Sequence, residues 1–273
     1  MRSIAKLMKD WQFTGPDGVT TAVELPHTWN ARDGQDGGND YWRGCCTYCT
    51  RFAAPVYDPA QQQVWLQFEG VNASATVLLN GQQLCTHDGG YSTFRAEVTE
   101  LLQAENQLTV RVDNSVNDRV YPQKADFTFY GGIYRDVSLL VVNKDHIALG
   151  HFGDTGVKIT PALQENSADI QVETLVEGEG TVAVELLDAE GRTVAKGEGE
   201  NAFLHLDAPH LWNGVKDPYL YTCVVRLLQD GQPVDEVTTR VGLRSFSVDA
   251  MCAACPSSCS PSAPVRRKAR RPA

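Results

Sequence analysis

Residues 75–85, Ala-Thr-Val-Leu-Leu-Asn-Gly-Gln-Gln-Leu-Cys, decide the fold class. Ala75, Val77 and Leu79 recur at every second position, the spacing that puts one face of a strand against a core. Asn80-Gly81 then supplies two residues that tolerate positive φ, as a tight hairpin turn requires. Gln82 to Cys85 continues on the far side, so the stretch predicts a β-hairpin.

The same period of two extends outward in both directions. It recurs in Val19, Thr21, Val23 and Leu25, in Val64, Leu66 and Phe68, and in Leu108, Val110 and Val112. Further strands are expected over 41–52, 94–98, 126–130 and 134–142, with one short helical turn over 99–105. Past Asn143 shorter strands follow at even spacing, over 146–152, 156–160, 170–176, 182–187, 202–206, 219–228 and 234–241, with turns such as Asp230-Gly231 between them. Such a series of short strands is the signature of an immunoglobulin-like sandwich. The first part, with longer strands and Gly/Asp/Asn-rich loops, suits a jelly roll. The expected fold is all-β: a jelly-roll domain over 1–144, an immunoglobulin-like β-sandwich over 145–249, and a tail over 250–273. A (β/α)8 barrel is excluded, because it needs strands alternating with long helices over about 250 residues.

The tail differs from everything before it. It carries Arg266, Arg267, Lys268, Arg270 and Arg271 with no acidic residue, no aromatic and no period, so it is expected to be disordered. Across the whole chain of 273 residues the formal net charge is -10, which opposes binding to a phosphate backbone or an anionic membrane. No apolar run reaches the roughly 18 residues of a spanning helix, and the start lacks a signal peptide's apolar middle. A cytoplasmic protein without nucleic-acid or membrane partners is expected. The eight cysteines then read as reduced thiols. Cys252, Cys255 and Cys259 have no fourth ligand at structural-zinc spacing, and His146 and His151 would point to opposite faces of one strand, so no metal site is expected.

Three blocks carry side chains suited to chemistry. The first, Leu25-Pro-His-Thr-Trp-Asn30 with Asp33 to Tyr41, reads as a glycine-rich loop whose Asx side chains cap their own turns, although Trp29 and Tyr41 offer flat faces to a sugar ring. In the second, Phe68-Glu-Gly-Val-Asn72-Ala-Ser74, an exposed Asn72 amide could donate to and accept from hydroxyls; alternatively it forms a turn or an idle glycosylation sequon. The third runs from Asp113 to Asp136 and mixes carboxylates, Asp126 among them, with aromatics, the combination a sugar site uses. Arg135 and Asp136 read as locally paired for structure. His27, His87 and His210 read as loop or core-edge donors.

Taken together, LPHTWNARDGQDGGNDYWRG, FEGVNASATVLLNG, HDGGYSTFRAEVTELL, NSVNDRVYPQKADFTFYGGIYRDVSLL, LWNGVKDPYLYTCVV and VGLRSF resemble, in order and spacing, the N-terminal half of glycoside hydrolase family 2, above all its bacterial β-galactosidases. The resemblance covers about residues 7 to 249. It implies a jelly-roll sugar-binding domain and an immunoglobulin-like linker domain, followed in the family by a catalytic (β/α)8 barrel. It also implies that Asn72, the amide of the GVN motif, and Asp126, seven residues before the Ile of GGIYRDV, bind galactosyl hydroxyls. The family's two catalytic Glu, which act in a retaining double displacement, lie on barrel strands, so no catalytic residue is expected here. No cofactor is expected in this chain, with Mg or Na ions left to the full-length family. A frameshift or misplaced gene boundary near Ala250 is the expected origin of the tail.

The function that follows is the N-terminal part of a β-galactosidase-like hydrolase, contributing substrate contacts but inactive alone. Two alternatives stand beside it: a free-standing carbohydrate-binding module, and a fragment that complements a separate catalytic chain. The expected partners are a β-galactoside-type carbohydrate, the catalytic barrel or a complementing chain, and other copies of itself through apolar surface that a barrel would cover.

Overall fold

The computed structural model describes residues 1–31, 41–122, 125 and 127–246. Asp126, most of the Asp33-to-Tyr41 block and the tail lie outside the described residues. The chain is all-β, a jelly-roll sandwich followed by an immunoglobulin-like sandwich, with one short 3-10 turn at Thr99–Leu101. No helix among the described residues is long and apolar enough to cross a membrane.

The jelly roll has two main sheets. One runs in the order Thr20–Val23, Trp11–Thr14, Cys45–Ala53, Glu105–Asp113, Ser74–Leu79, Gln82–Asp88. The other runs Ser3–Lys6, Val137–Asn143, Gln62–Phe68, Phe94–Glu97. Alternation does the work: Cys46, Tyr48 and Phe52 from one strand, with Leu108, Val110 and Val112 from its neighbour, turn inward to one core with Val64, Leu66 and Phe68 of the opposing sheet. Trp11 and Tyr48 are wholly buried there and meet edge to face at 6.4 Å. The expected hairpin is present, with Asn80 at φ 52° and Gly81 at φ 84°. Val137 to Val142 are buried on both faces, because Leu140 and Val142 leave the main core to form a second cluster with Leu149.

The immunoglobulin-like part has a three-stranded sheet, Val157–Leu163, Ser167–Thr174, Asn201–Asp207, and a four-stranded one, Thr193–Glu198, Thr181–Leu187, Tyr221–Gln229, Gln232–Val241. By contacts the chain divides into two compact units. Of the described residues, one comprises those within 1–158, 174–183 and 225–237; the other comprises 159–173, 184–224 and 238–246. In the first unit Asp235, wholly buried, accepts from Arg2 Nε at 2.8 Å, from Arg2 Nη2 at 2.5 Å and from the Ile147 amide at 2.9 Å. The N-terminal residues are thereby tied to a strand more than two hundred positions away.

Several local expectations need correction. The strand expected over 146–152 ends at Ile147, so His146 and His151 do not share one strand. Residues 127–130 are not a strand, and pairing resumes at Gly132–Ile133. The alternation from Val19 to Leu25 forms only an exposed edge strand, Thr20–Val23, with Val19 itself 55% exposed. Asp136 pairs with Lys6 at 2.5 Å on the adjoining edge strand, not with Arg135. The Arg135 side chain lies instead against Gly70.

Candidate functional site

One small sheet brings the motifs together. His27–Thr28, Gly132–Ile133 and Val71–Asn72 pair in that order, with Gly132 opposite both Thr28 and Asn72 and Ile133 opposite both His27 and Val71. LPHTWN, GGIYRDV and FEGVN, separated by up to a hundred residues in sequence, therefore meet at one end of the jelly roll. Gly132 sits at φ +142°, and a Cβ there would come within 2.4 Å of the His27 carbonyl oxygen, so only glycine permits this approach.

Asn72 does not stand open as the sequence reading supposed: it is 5% exposed. Its Nδ2 donates to the Tyr130 carbonyl at 2.5 Å, which fixes the amide plane. Gly90 of the HDGG motif packs against the same amide so closely that a Cβ there would reach 2.3 Å from Oδ1. The amide lines a depression with Arg43, Tyr91, Ser115, Tyr121 and Phe129 that encloses about 20 Å³ of open space. That is room for about one water-sized group, so the described residues alone offer a contact point and no enclosing sugar pocket. Tyr91 and Tyr121 are 62% and 76% exposed at its edge.

Sequence reasoning missed the polar hub beneath this surface. Asn30 and Asn114 are both wholly buried. Asn114 Nδ2 donates to Asn30 Oδ1 at 3.1 Å and to the Phe129 carbonyl at 2.8 Å, while its Oδ1 accepts from the Gly44 amide at 2.8 Å. Asn30 Oδ1 accepts from the Gly131 amide at 2.7 Å, and its Nδ2 donates to the Trp42 carbonyl at 2.8 Å. Two side chains thus satisfy backbone groups of two loop segments, 42–44 and 129–131. On the other side of the depression, Asp88 accepts from Ser74 Oγ at 2.5 Å and from Arg119 Nε at 2.8 Å, pinning the NSVNDRV loop. The Arg119 guanidinium holds the Asp88 carboxyl below its ordinary value.

Trp29, whose ring the sequence left available as a sugar face, is instead a packing residue. Its ring stacks on Phe13 at 5.9 Å, meets Trp42 at 6.0 Å and covers Gly131. Tyr41 accepts from the Phe129 amide at 3.0 Å through its hydroxyl. The histidines serve as local donors or acceptors. His27 Nδ1 and the Tyr48 hydroxyl are 2.7 Å apart, His87 stacks on Phe94 at 4.2 Å, and His210 meets Asp217 at 2.7 Å. Among the described residues no three His, Cys, Asp or Glu converge on a metal-sized site, and five cysteines are free thiols.

Burial lowers the pKa of both His27 and His87 from 6.5, whereas hydrogen bonds that His205 donates to the Asp169 and then the Asp207 carboxylate raise its own. An NMR pH titration should place the midpoints of His27 and His87 below 6.5 and that of His205 above it. The stability consequences have opposite signs. The unfolded chain takes up protons at His27 and His87 before the folded one does, so their contribution is lost as pH falls below about 6.5. The His205 contribution is present in acid and lost as pH rises through its folded pKa.

Two family descriptions match the chain: "Glycosyl hydrolase 2 galactose-binding domain-like" over residues 39–162 and "Glycosyl hydrolases family 2" over 151–244. The chain belongs to glycoside hydrolase family 2. A beta-glucuronidase of Bacteroides fragilis is 33% identical over 266 residues, covering 89% of this chain and 38% of that protein. The beta-galactosidase BoGH2A of Bacteroides ovatus is 30% identical over 282 residues, covering 88% and 31%. Among solved structures, an FMN-binding beta-glucuronidase from Facaelibacterium prausnitzii L2-6 matches with TM-score 0.85 and 36% identity, over 91% of this chain and 40% of that one. A putative beta-galactosidase from Bacteroides fragilis matches with TM-score 0.82 and 34% identity, over 90% and 42%. The chain therefore spans less than half the length of these relatives.

Proposed function

We propose that this chain supplies the sugar-contacting N-terminal segment of a family 2 β-glycosidase acting on terminal β-galactosides or β-glucuronides, with a domain boundary near residue 144. In this reading Asn72 and Asp126 hold ring hydroxyls. The bond is broken elsewhere, by a carboxylate pair on a barrel supplied by the remainder of such an enzyme or by a complementing chain. The observation that carries the reading is the convergence of four motifs around one amide, whose plane the Tyr130 carbonyl fixes at the edge of the depression. Free thiols at five cysteines fit a reducing compartment, which supports a cytoplasmic location.

The test is an amide-resolved NMR titration of the full chain with methyl β-D-galactoside. Shifts are expected around residues 71–73, 89–91, 115–121 and 130–133, with a Kd in the millimolar range or weaker, on the order of 4 kcal/mol of binding or less. Asn72→Ala should abolish them. Shifts absent at tens of millimolar sugar, or clustered away from Asn72, would refute the assignment. A free-standing binding module would show a markedly tighter Kd in the same titration.

A further inference from the structure

Tyr91 stands at the edge of the Asn72 depression on a loop that is held at several points. The Gly89 amide donates to the Ala73 carbonyl at 2.8 Å, which ties the loop to the residue after Asn72. His87 Nε2 donates to the Gly89 carbonyl at 3.1 Å and lies 3.0 Å from Ser92 Oγ, so one imidazole reaches both sides of Tyr91. Gly90 packs on the Asn72 amide, and Gly153 approaches so closely from the other side that a Cβ there would come within 1.7 Å of the Thr93 carbonyl oxygen. The Tyr91 ring meets Tyr134 in a T-shaped contact, with centroids 6.3 Å apart and planes at 61°. Tyr91 nevertheless stays 62% exposed. An aromatic side chain already fixed in place loses little freedom when a ligand settles on it. The depression beside it encloses about 20 Å³, room for one hydroxyl and not for a ring. A sugar that reaches Asn72 must therefore keep its ring outside the depression, over the rim that Tyr91 forms.

We infer that Tyr91 is the aromatic platform of the sugar grip: the C–H-bearing face of a pyranoside ring lies on the phenol ring while one hydroxyl enters the depression beside Asn72. The ligand class that fits is a pyranoside with one face free of axial oxygen, because an axial oxygen on the stacked face would lift the ring off the tyrosine. This rests on the reading that the loop end around Asn72 holds sugar, and it adds the residue that holds the ring.

The experiment measures, on the full chain with methyl β-D-galactoside, the Kd and the NMR saturation passed from protein to each sugar proton. Saturation should fall most heavily on the axial protons at C1, C3 and C5, which share one face, and least on the proton at C2, on the other. Tyr91→Ala should weaken the Kd about fivefold and level that pattern, while Tyr91→Phe should keep both. The urea midpoint of Tyr91→Ala should match that of the unaltered chain, since the side chain is exposed. The saturation pattern of the unaltered chain does not depend on any variant folding. Even saturation across the ring protons, or a Kd unchanged in Tyr91→Ala, overturns the assignment. If the galactoside binds and Asn72→Ala abolishes binding while Tyr91→Ala changes nothing, only the platform falls. If the galactoside does not bind at all, both the platform and the sugar grip fall.

Discussion

Replacing Asp235 by alanine is expected to lower the unfolding free energy by about 3–5 kcal/mol, a large share of the 5–15 typical of a domain. Asp235 is wholly buried and Arg2 is nearly so, its side chain 15% exposed. The substitution leaves that guanidinium without its carboxylate and the Ile147 amide without its acceptor. A buried pair costs much to break but contributes little over a well-packed apolar replacement. The double variant Arg2→Met with Asp235→Leu should therefore recover a substantial part of the loss in urea denaturation. A single Asp235→Ala variant within about 1 kcal/mol of the unaltered chain would show that the pair is solvated in solution.

The second large effect is expected at Asn114. Asn114→Ala strips the Gly44 amide and the Phe129 carbonyl of their partners inside the protein, at roughly 1–3 kcal/mol for each buried group left bare. The summed loss, about 3 kcal/mol by the same reckoning, should appear as a lower denaturation midpoint. Because the Asn114 side chain also holds the Phe129 backbone at the edge of the depression, sugar binding should weaken in whatever fraction stays folded. Asn114→Asp should not rescue it, since a carboxylate cannot donate to Phe129 and Asn30 and would bury a charge. Full stability in Asn114→Asp would contradict the hub.

These two sites also mark the limit of what the sequence disclosed. The hairpin was legible because Ala75, Val77 and Leu79 keep a strict period and Asn80-Gly81 has few other uses. The strand Val137–Asn143 was legible from its apolar run, Leu139 to Val142. Ser3–Lys6 was not, because all four residues are exposed and its apolar pair, Ile4 and Ala5, is adjacent and shows no period of two. Trp11–Thr14 offers only Trp11 and Phe13, too short a run to show a period. At the site, the motif blocks identified the right loops but assigned individual side chains less well. Trp29 looks like a sugar platform until Phe13, sixteen positions earlier, is seen to occupy its face. Asn30 and Asn114 have the sequence appearance of ordinary turn residues. Their burial depends on loops distant in sequence meeting, which no local pattern records.

The proposed function requires that this chain grip a sugar and not cleave it. Incubating the purified full chain with 4-nitrophenyl β-D-galactoside and 4-nitrophenyl β-D-glucuronide tests it most directly. Nitrophenol release should match that of an identically purified blank at every protein concentration. Release that rises in proportion to the chain, survives repurification and disappears with Asn72→Ala would contradict the claim.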